Sequence, residues 1–184
     1  MATVNTAVDL GVRYSSNLDF SEQVGHVVSR CAMICSWIMR AFTLRSPDAY
    51  IKLYKAHVMP IIQYASQVWR PSKRGDMRLI GRVQRKFLSR VEYRCSLQKH
   101  TLVLPPVEEI FDRADIHYLR KMIHHETRFD SFFELHATTS RRGFAFGPKV
   151  RAKSDRVANL YPWRVSRMIN DQAPSTNEGN NIVQ

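Results

Sequence analysis

DMRLIGRVQRKFLSRVE, residues Asp76–Glu92, is the stretch on which the fold of this 184-residue chain turns. At about 100° per residue on a helix, Met77, Ile80, Val83, Gln84, Phe87, Leu88 and Val91 fall on one side. Arg78, Arg82, Arg85, Lys86 and Arg90 fall on the other, joined by Arg74 just upstream. The spacing predicts an amphipathic helix with one packed and one wet side. A solvated helix face ordinarily pairs acid with base at i to i+4. Here almost every such neighbour is another base, a repulsion of about a few tenths of a kcal/mol per pair. A polyanion would relieve it.

The charge is local. From Arg70 to Arg94, nine bases (Arg70, Lys73, Arg74, Arg78, Arg82, Arg85, Lys86, Arg90, Arg94) face only Asp76 and Glu92, a net +7. From Arg141 to Arg167, eight bases face only Asp155, again a net +7. Together these stretches hold +14 in a chain whose total is +12, so everything else sums to −2. Such concentration is the electrostatic footprint of contact with phosphates. A second reading of the same run is a merely soluble charged face. Phe144, Phe146, Tyr161 and Trp163 interleave with the second cluster, either as stacking platforms for bases or as core and anchor residues, with the latter favoured.

With 44% hydrophobic residues, the chain can bury one good core and need not form two. No window approaches the roughly 18 uninterrupted apolar residues of a membrane span, and MATVNTAVDLGVRY lacks a signal-peptide layout. The expectation is an intracellular chain, in nucleus or cytoplasm, not secreted and with no membrane partner. Cys31 and Cys35 lie four apart on an apolar helix face, and Cys95 stands alone. They read as packing residues in preference to redox or metal ligands. His124 and His125 adjoin, but neither an H-E-x-x-H nor a Cys/His quartet exists, so no zinc is expected.

Along the chain, Ala7 to Tyr14 reads as one strand ending in a turn at Ser15, Ser16 and Asn17. A helix is predicted over Ser21 to Thr43, with Asp19 or Ser21 as cap and a stripe of Val24, Val27, Val28, Cys31, Ile34, Cys35, Ile38 and Phe42. Ser46, Pro47 and Asp48 start the next helix, which Pro60 should kink or divide. After Pro71 and Gly75 comes the basic helix, then Pro105 and Pro106, then a helix over roughly Val107 to Glu126. Periodicity fades beyond about Thr138, and the polar string from Gln172 reads as disordered. The fold class is therefore mainly α: a helical bundle preceded by a short β segment, with an irregular basic C-terminal region. The segments are 1–18 (edge strand and turn), 19–137 (helical domain), 138–171 (basic irregular extension) and 172–184 (tail).

These residues carry a family resemblance. Asp9-Leu10-Gly11-Val12 with Leu18 and Phe20, then Leu53-Tyr54, then Val58-Met59-Pro60-Ile61-Ile62-Gln63-Tyr64-Ala65-Ser66-Gln67-Val68-Trp69 with Pro71, then Arg82-Val83-Gln84-Arg85-Lys86-Phe87 stand in order. The chain resembles the carboxy-terminal region, end of palm plus thumb, of jockey-type non-LTR retrotransposon reverse transcriptases, which are LINE-type RNA-directed DNA polymerases. The resemblance spans most of Leu10 to about Met168 and rests on three separate motifs, Asp9–Val12, Val58–Trp69 and Arg82–Phe87. It implies a palm-closing strand followed by a helical, thumb-like module that grips primer–template duplex by its backbone. Segment 1–18 would then be the remnant of the palm edge.

The resemblance also carries departures. Gln63 stands where the family usually has glutamate. Polymerase chemistry needs carboxylates that hold two divalent metals, magnesium in the parent enzyme, and the family supplies them from the palm with a paired Asp-Asp. This sequence has no Asp-Asp; its adjacent acids Glu108 and Glu109 follow Pro-Pro at a helix start, where the dipole accounts for them. No cofactor and no catalytic residue are expected in this chain, which reads as the tail of a larger element. The implied partners are RNA–DNA hybrid or duplex DNA, bound without sequence preference, and the palm and fingers of the parent polymerase. Arg74, Arg78, Arg82, Arg85, Lys86 and Arg90 are the candidate phosphate contacts. Val58, Ile61, Ile62, Tyr64, Val68 and Trp69 are assigned to packing, with base stacking the lesser reading for Trp69. The alternative is a helical protein-interaction or structural module, or a non-functional element remnant, without a nucleic-acid role.

Overall fold

A computed structural model describes residues 6–43, 46–124, 133–137, 144–148 and 160–172. It is mainly helical. In chain order the elements are β1 (Thr6–Asp9), β2 (Val12–Ser15), α1 (Ser21–Ala41), α2 (Pro47–His57), α3 (Met59–Gln63), α4 (Ser66–Trp69), α5 (Arg74–Arg94), α6 (Val107–His124), β3 (Phe133–Ala137), β4 (Phe144–Pro148) and α7 (Tyr161–Gln172). The chain divides into two compact units, Met1–Ala114 and Asp115–Gln184, and the boundary falls inside α6.

The first unit opens with a correction. Ala7 to Tyr14, expected as one strand, is an antiparallel hairpin paired from Thr6↔Ser15 to Asp9↔Val12. Leu10 and Gly11 form its two-residue turn with φ of +48° and +79°, the left-handed pair that matches the twist of flanking strands. Glycine adopts this geometry freely and leucine does so at a cost, so the turn lacks the Asn-Gly signal that announces most such hairpins. Tyr64 Oη donates to the Leu10 carbonyl at 2.8 Å and steadies it. Gln23 Oε1, on α1, accepts the Arg13 N–H at 2.9 Å and fixes β2 to the helix.

Helix α1 runs from Ser21 to Ala41, and its cap is neither Asp19 nor Ser21 but Phe20, whose side chain makes no hydrogen bond to the first turn; Asp19, one residue ahead, accepts the Ser21 N–H on Oδ1 at 3.0 Å. Pro47 occupies the first turn of α2. Pro60 divides the next helical stretch: α2 ends at His57 and α3 resumes at Met59 with Pro60 in its first turn, since proline cannot donate to the preceding turn.

One apolar core holds these elements. Val24, Val27, Cys31, Cys35 and Ile38 of α1 meet Tyr50 and Tyr54 of α2, Val58, Ile62 and Trp69, the Ile80, Phe87 and Val91 side of α5, and Val107, Ile110 and Phe111 of α6. Tyr54 and Phe87 pack ring to ring at 5.1 Å. Trp69 is fully buried, with its ring edge-on to Phe111 at 5.6 Å and Nε1 donating to the Tyr64 carbonyl at 2.7 Å. That places Trp69 in the core. Tyr64 and Val68, assigned to packing from sequence, are instead 57% and 52% exposed, because the left-handed turn at Ala65 (φ +49°) breaks the helical register that would have carried them inward.

The second unit has its own small core of Leu119, Met122, Tyr161 and Val165, with Ile169 packed against it. Tyr118 and Tyr161 meet edge-on at 5.3 Å. Buried Asp115 accepts from Arg164 Nε at 3.1 Å and from its Nη2 at 3.3 Å. The stretch expected to be irregular from 138 to 171 contains β4 and most of α7, and β3 lies within the stretch expected to be helical. β3 and β4 pair antiparallel from Phe133↔Pro148 to Ala137↔Phe144; five-residue strands carry little periodicity and exist only through their partner. α7 did leave a signal, Tyr161, Val165 and Ile169 four apart behind a starting Pro162. Beyond Gln172, the last residue of α7, the tail lies outside the described residues.

Candidate nucleic-acid interface

Helix α5 is built as its sequence dictates. Ile80, Gln84, Phe87 and Val91 are buried, and Met77, Val83 and Leu88 are half-buried against the core. Its start is tied to α1: the Ser21 hydroxyl lies 2.8 Å from both Asp76 and Asp19, which share its one proton, and Lys73 Nζ lies 2.6 Å from Asp19. Lys73 and Ser21 together hold the Asp19 carboxyl down at about 2, well below its ordinary 3.8. At the far end, Glu92 is buried and accepts the Leu102 N–H at 3.0 Å, which holds its carboxyl below the usual range and fixes the loop leading to α6. Gln84 Nε2 donates to the Pro105 carbonyl at 2.8 Å. Gly81 is also buried; a Cβ there would meet Val107 Cγ2 at an ordinary 3.8 Å and crowd only the end of the Arg85 side chain, at 3.2 Å from Nη1.

The nine bases of this run divide by role. Arg70 pairs with Asp112 at 2.6 Å and lies over the Phe111 ring at 5.6 Å. Lys73 is taken by Asp19. Arg94 turns its Nη1 to the Met39 and Phe42 carbonyls at the end of α1 and to Tyr50 Oη at 3.1 Å, a cation on the negative end of a helix dipole. These three hold the fold together.

The other six, Arg74, Arg78, Arg82, Arg85, Lys86 and Arg90, are all exposed. Among the described residues, none of the six makes an ion pair. They span an arc of about 160° and a length of about 24 Å on the helix. Double-stranded DNA carries one charge per about 1.7 Å of axis, so this length matches the span of about 14 duplex charges, both strands counted. The face is a row of unneutralised cations on a helix braced at both ends. Just beyond Arg90 the row of cations gives way to Tyr93, which is 90% exposed.

Beside the stripe, α1 and α5 leave a groove of about 220 Å³, floored by Val28, Ala32, Cys35, Val83 and Phe87 and edged by Arg82, Lys86 and Arg90. Cys31 and Cys35 are buried, and burial pushes both thiols up to about 12. They pack, as their spacing suggested.

In the second basic cluster, Arg164 is buried in the Asp115 pair, Tyr161 is core, and Trp163 is half-buried. Arg167 is exposed and already engaged with a neighbouring group. Phe144 and Phe146 lie in β4, and Arg141, Arg142, Lys149, Arg151, Lys153 and Arg156 lie outside the described residues. Among the described residues, no three His, Cys, Asp or Glu side chains stand where they could hold a metal ion. No described helix is long and apolar enough to cross a membrane.

No family model matches this chain. It is 25% identical over 93 residues to a Caenorhabditis elegans protein described as "Uncharacterized protein B0403.1", a match covering 50% of this chain and 47% of that protein. The matched stretch thus spans about half the length of that relative. No solved structure matches.

Proposed function

We propose that this chain is a nucleic-acid-binding module, the thumb-like part of a non-LTR retrotransposon RNA-directed DNA polymerase, which grips primer–template duplex through its phosphates. The observation that carries the proposal is the stripe from Arg74 to Arg90: six exposed cations on one helix face, with no described acid paired to any of them. Like charges crowded at i to i+4 destabilise a lone helix, and a polyanion removes that repulsion as it binds. Arginines along a helix meet phosphates and fix register without reading bases. The order of the three sequence motifs supports placing the module at the end of a palm.

Titrating fluorescently labelled RNA–DNA hybrid and duplex DNA of unrelated sequences with the purified chain, at several salt concentrations, tests this reading. Binding of similar strength to all sequences, falling linearly in log–log form with salt, is the expected result. Salt-insensitive binding, or none, overturns it.

The apolar groove between α1 and α5 favours a second reading, a protein-interaction module that receives an acidic amphipathic helix. Its floor is hydrophobic and its edge carries Arg82, Lys86 and Arg90, the complement of an apolar stripe flanked by carboxylates. Failure on every duplex, together with saturable binding of an acidic helical peptide, would select it.

A further inference from the structure

About three turns beyond Arg82, the basic face of α5 ends in an aromatic ring. Tyr93 is 90% exposed and, among the described residues, makes no ring contact. With Ser36, Arg40, Ser89, Arg90 and Ser96 it lines an open cleft of about 1040 Å³ between the last turns of α1 and α5. Arg94 also lines this cleft, but its Nη1 is committed to the carbonyls ending α1, which offsets the negative end of that helix dipole. Arg40 and Arg90 are exposed and, among the described residues, unpaired.

We propose that this cleft binds an unpaired nucleotide of a single strand, with the Tyr93 ring stacked on the base. The guanidinium groups of Arg40 and Arg90 would hold the flanking phosphates, and the Ser36, Ser89 and Ser96 hydroxyls the remaining phosphate oxygens or base edges. This rests on the proposed nucleic-acid role and extends it from duplex gripping to capture of an unpaired strand. Three features point the same way. The cleft continues the cationic stripe, so a strand leaving a bound duplex meets it. Its volume of about 1040 Å³ is slightly above the roughly 300–1,000 Å³ of small-molecule sites, room for a nucleotide with its flanking phosphates. Its one prominent aromatic ring is bare, and every base has a face to stack on, so capture is tolerant of sequence.

The test compares a blunt duplex with the same duplex bearing a short thymidylate overhang, each labelled and titrated by fluorescence anisotropy with the full chain. Wild type is expected to prefer the overhang by about tenfold, the worth of one stacked base. Tyr93→Ala should abolish that preference while leaving blunt-duplex affinity and thermal stability unchanged, because the side chain is exposed. Tyr93→Phe, which keeps the ring, should retain it. With 5-iodouracil in the overhang, irradiation should crosslink to Tyr93. Equal binding of the two substrates, a preference that survives Tyr93→Ala, or a crosslink elsewhere overturns the cleft while leaving duplex gripping intact. A chain that binds neither substrate overturns both.

Discussion

Trp69 shows how much a single side chain carries. It fills the junction of α4 and α6, edge-on to Phe111, and its Nε1 satisfies the carbonyl of Tyr64. Trp69→Ala should therefore cost about 3–5 kcal/mol, as large core truncations do, read as a fall in the urea midpoint before any change in binding. Unchanged stability with lost nucleic-acid affinity would move Trp69 from core to contact surface. Asp19 makes a second prediction, through pH. Its carboxyl lies at about 2 against an ordinary 3.8, held down chiefly by Lys73. A depressed acid stabilises the fold above its unfolded value and loses that contribution as pH falls through its folded value. The melting-temperature gap between wild type and Asp19→Asn should thus be full above about pH 4 and close toward pH 2. A gap that stays constant through that window would show that the Lys73–Asp19 pair adds nothing. The cysteines make a third: in the native chain Cys95, half-buried, should react with a thiol reagent before buried Cys31 and Cys35, whose thiols burial holds at about 12. Rapid native labelling of all three cysteines would mean that the α1 face is open.

At the scale of the element, α5 combines two tasks on opposite sides, and they can be separated by mutation. Arg78, Arg82 and Arg85 are exposed and unpaired among the described residues, so replacing all three by glutamine keeps helix propensity and leaves the core side untouched. On a duplex the variant should bind more weakly whatever the sequence, and the log-affinity versus log-salt slope should flatten by about 2 to 3 units, at roughly 0.9 per phosphate contact. Anisotropy titrations between low and physiological salt give both slopes. An unchanged slope would mean that this face does not touch phosphates, and the groove beside it would become the better candidate. Arg70, Lys73 and Arg94 behave differently, since each is engaged with residues of α1, α2 or α6: Asp112, Ser21, and Met39 with Tyr50. Substituting them should lower stability as well as charge.

At the scale of the whole molecule, the proposed share of the work is gripping. Primer extension on an RNA template, with magnesium or manganese, should give no incorporation above a no-protein control. The resembled family draws its metal-binding carboxylates from palm segments with a paired Asp-Asp, which this sequence does not contain. Incorporation by the purified chain would overturn that division of labour. The basic stripe was legible without coordinates because it obeys helical periodicity, and every one of its six candidate residues is exposed. The cleft at Tyr93 was not, because it joins side chains of α1 and α5 that lie some fifty residues apart, and no local pattern marks their meeting.

Local pattern by itself determined α1, α2, α5 and α6 and the two sides of α5, because apolar spacing, the Ser46-Pro47-Asp48 start and the break at Pro60 act within a few residues of chain. It also determined that Cys31, Cys35 and Trp69 pack. What only the tertiary structure decided is which charges are free. Arg70, Lys73 and Arg94 look like their neighbours in sequence, yet distant partners take them: Asp112, Asp19 and the last carbonyls of α1. Tertiary structure likewise folded Ala7 to Tyr14 into a hairpin around Leu10 and Gly11, and turned Tyr64 and Val68 outward at Ala65. The physical reason is common to all of these. Periodicity reports which face of an element is apolar, whereas ion pairs, strand pairing and left-handed turns are settled by groups that meet only after the chain has closed on itself.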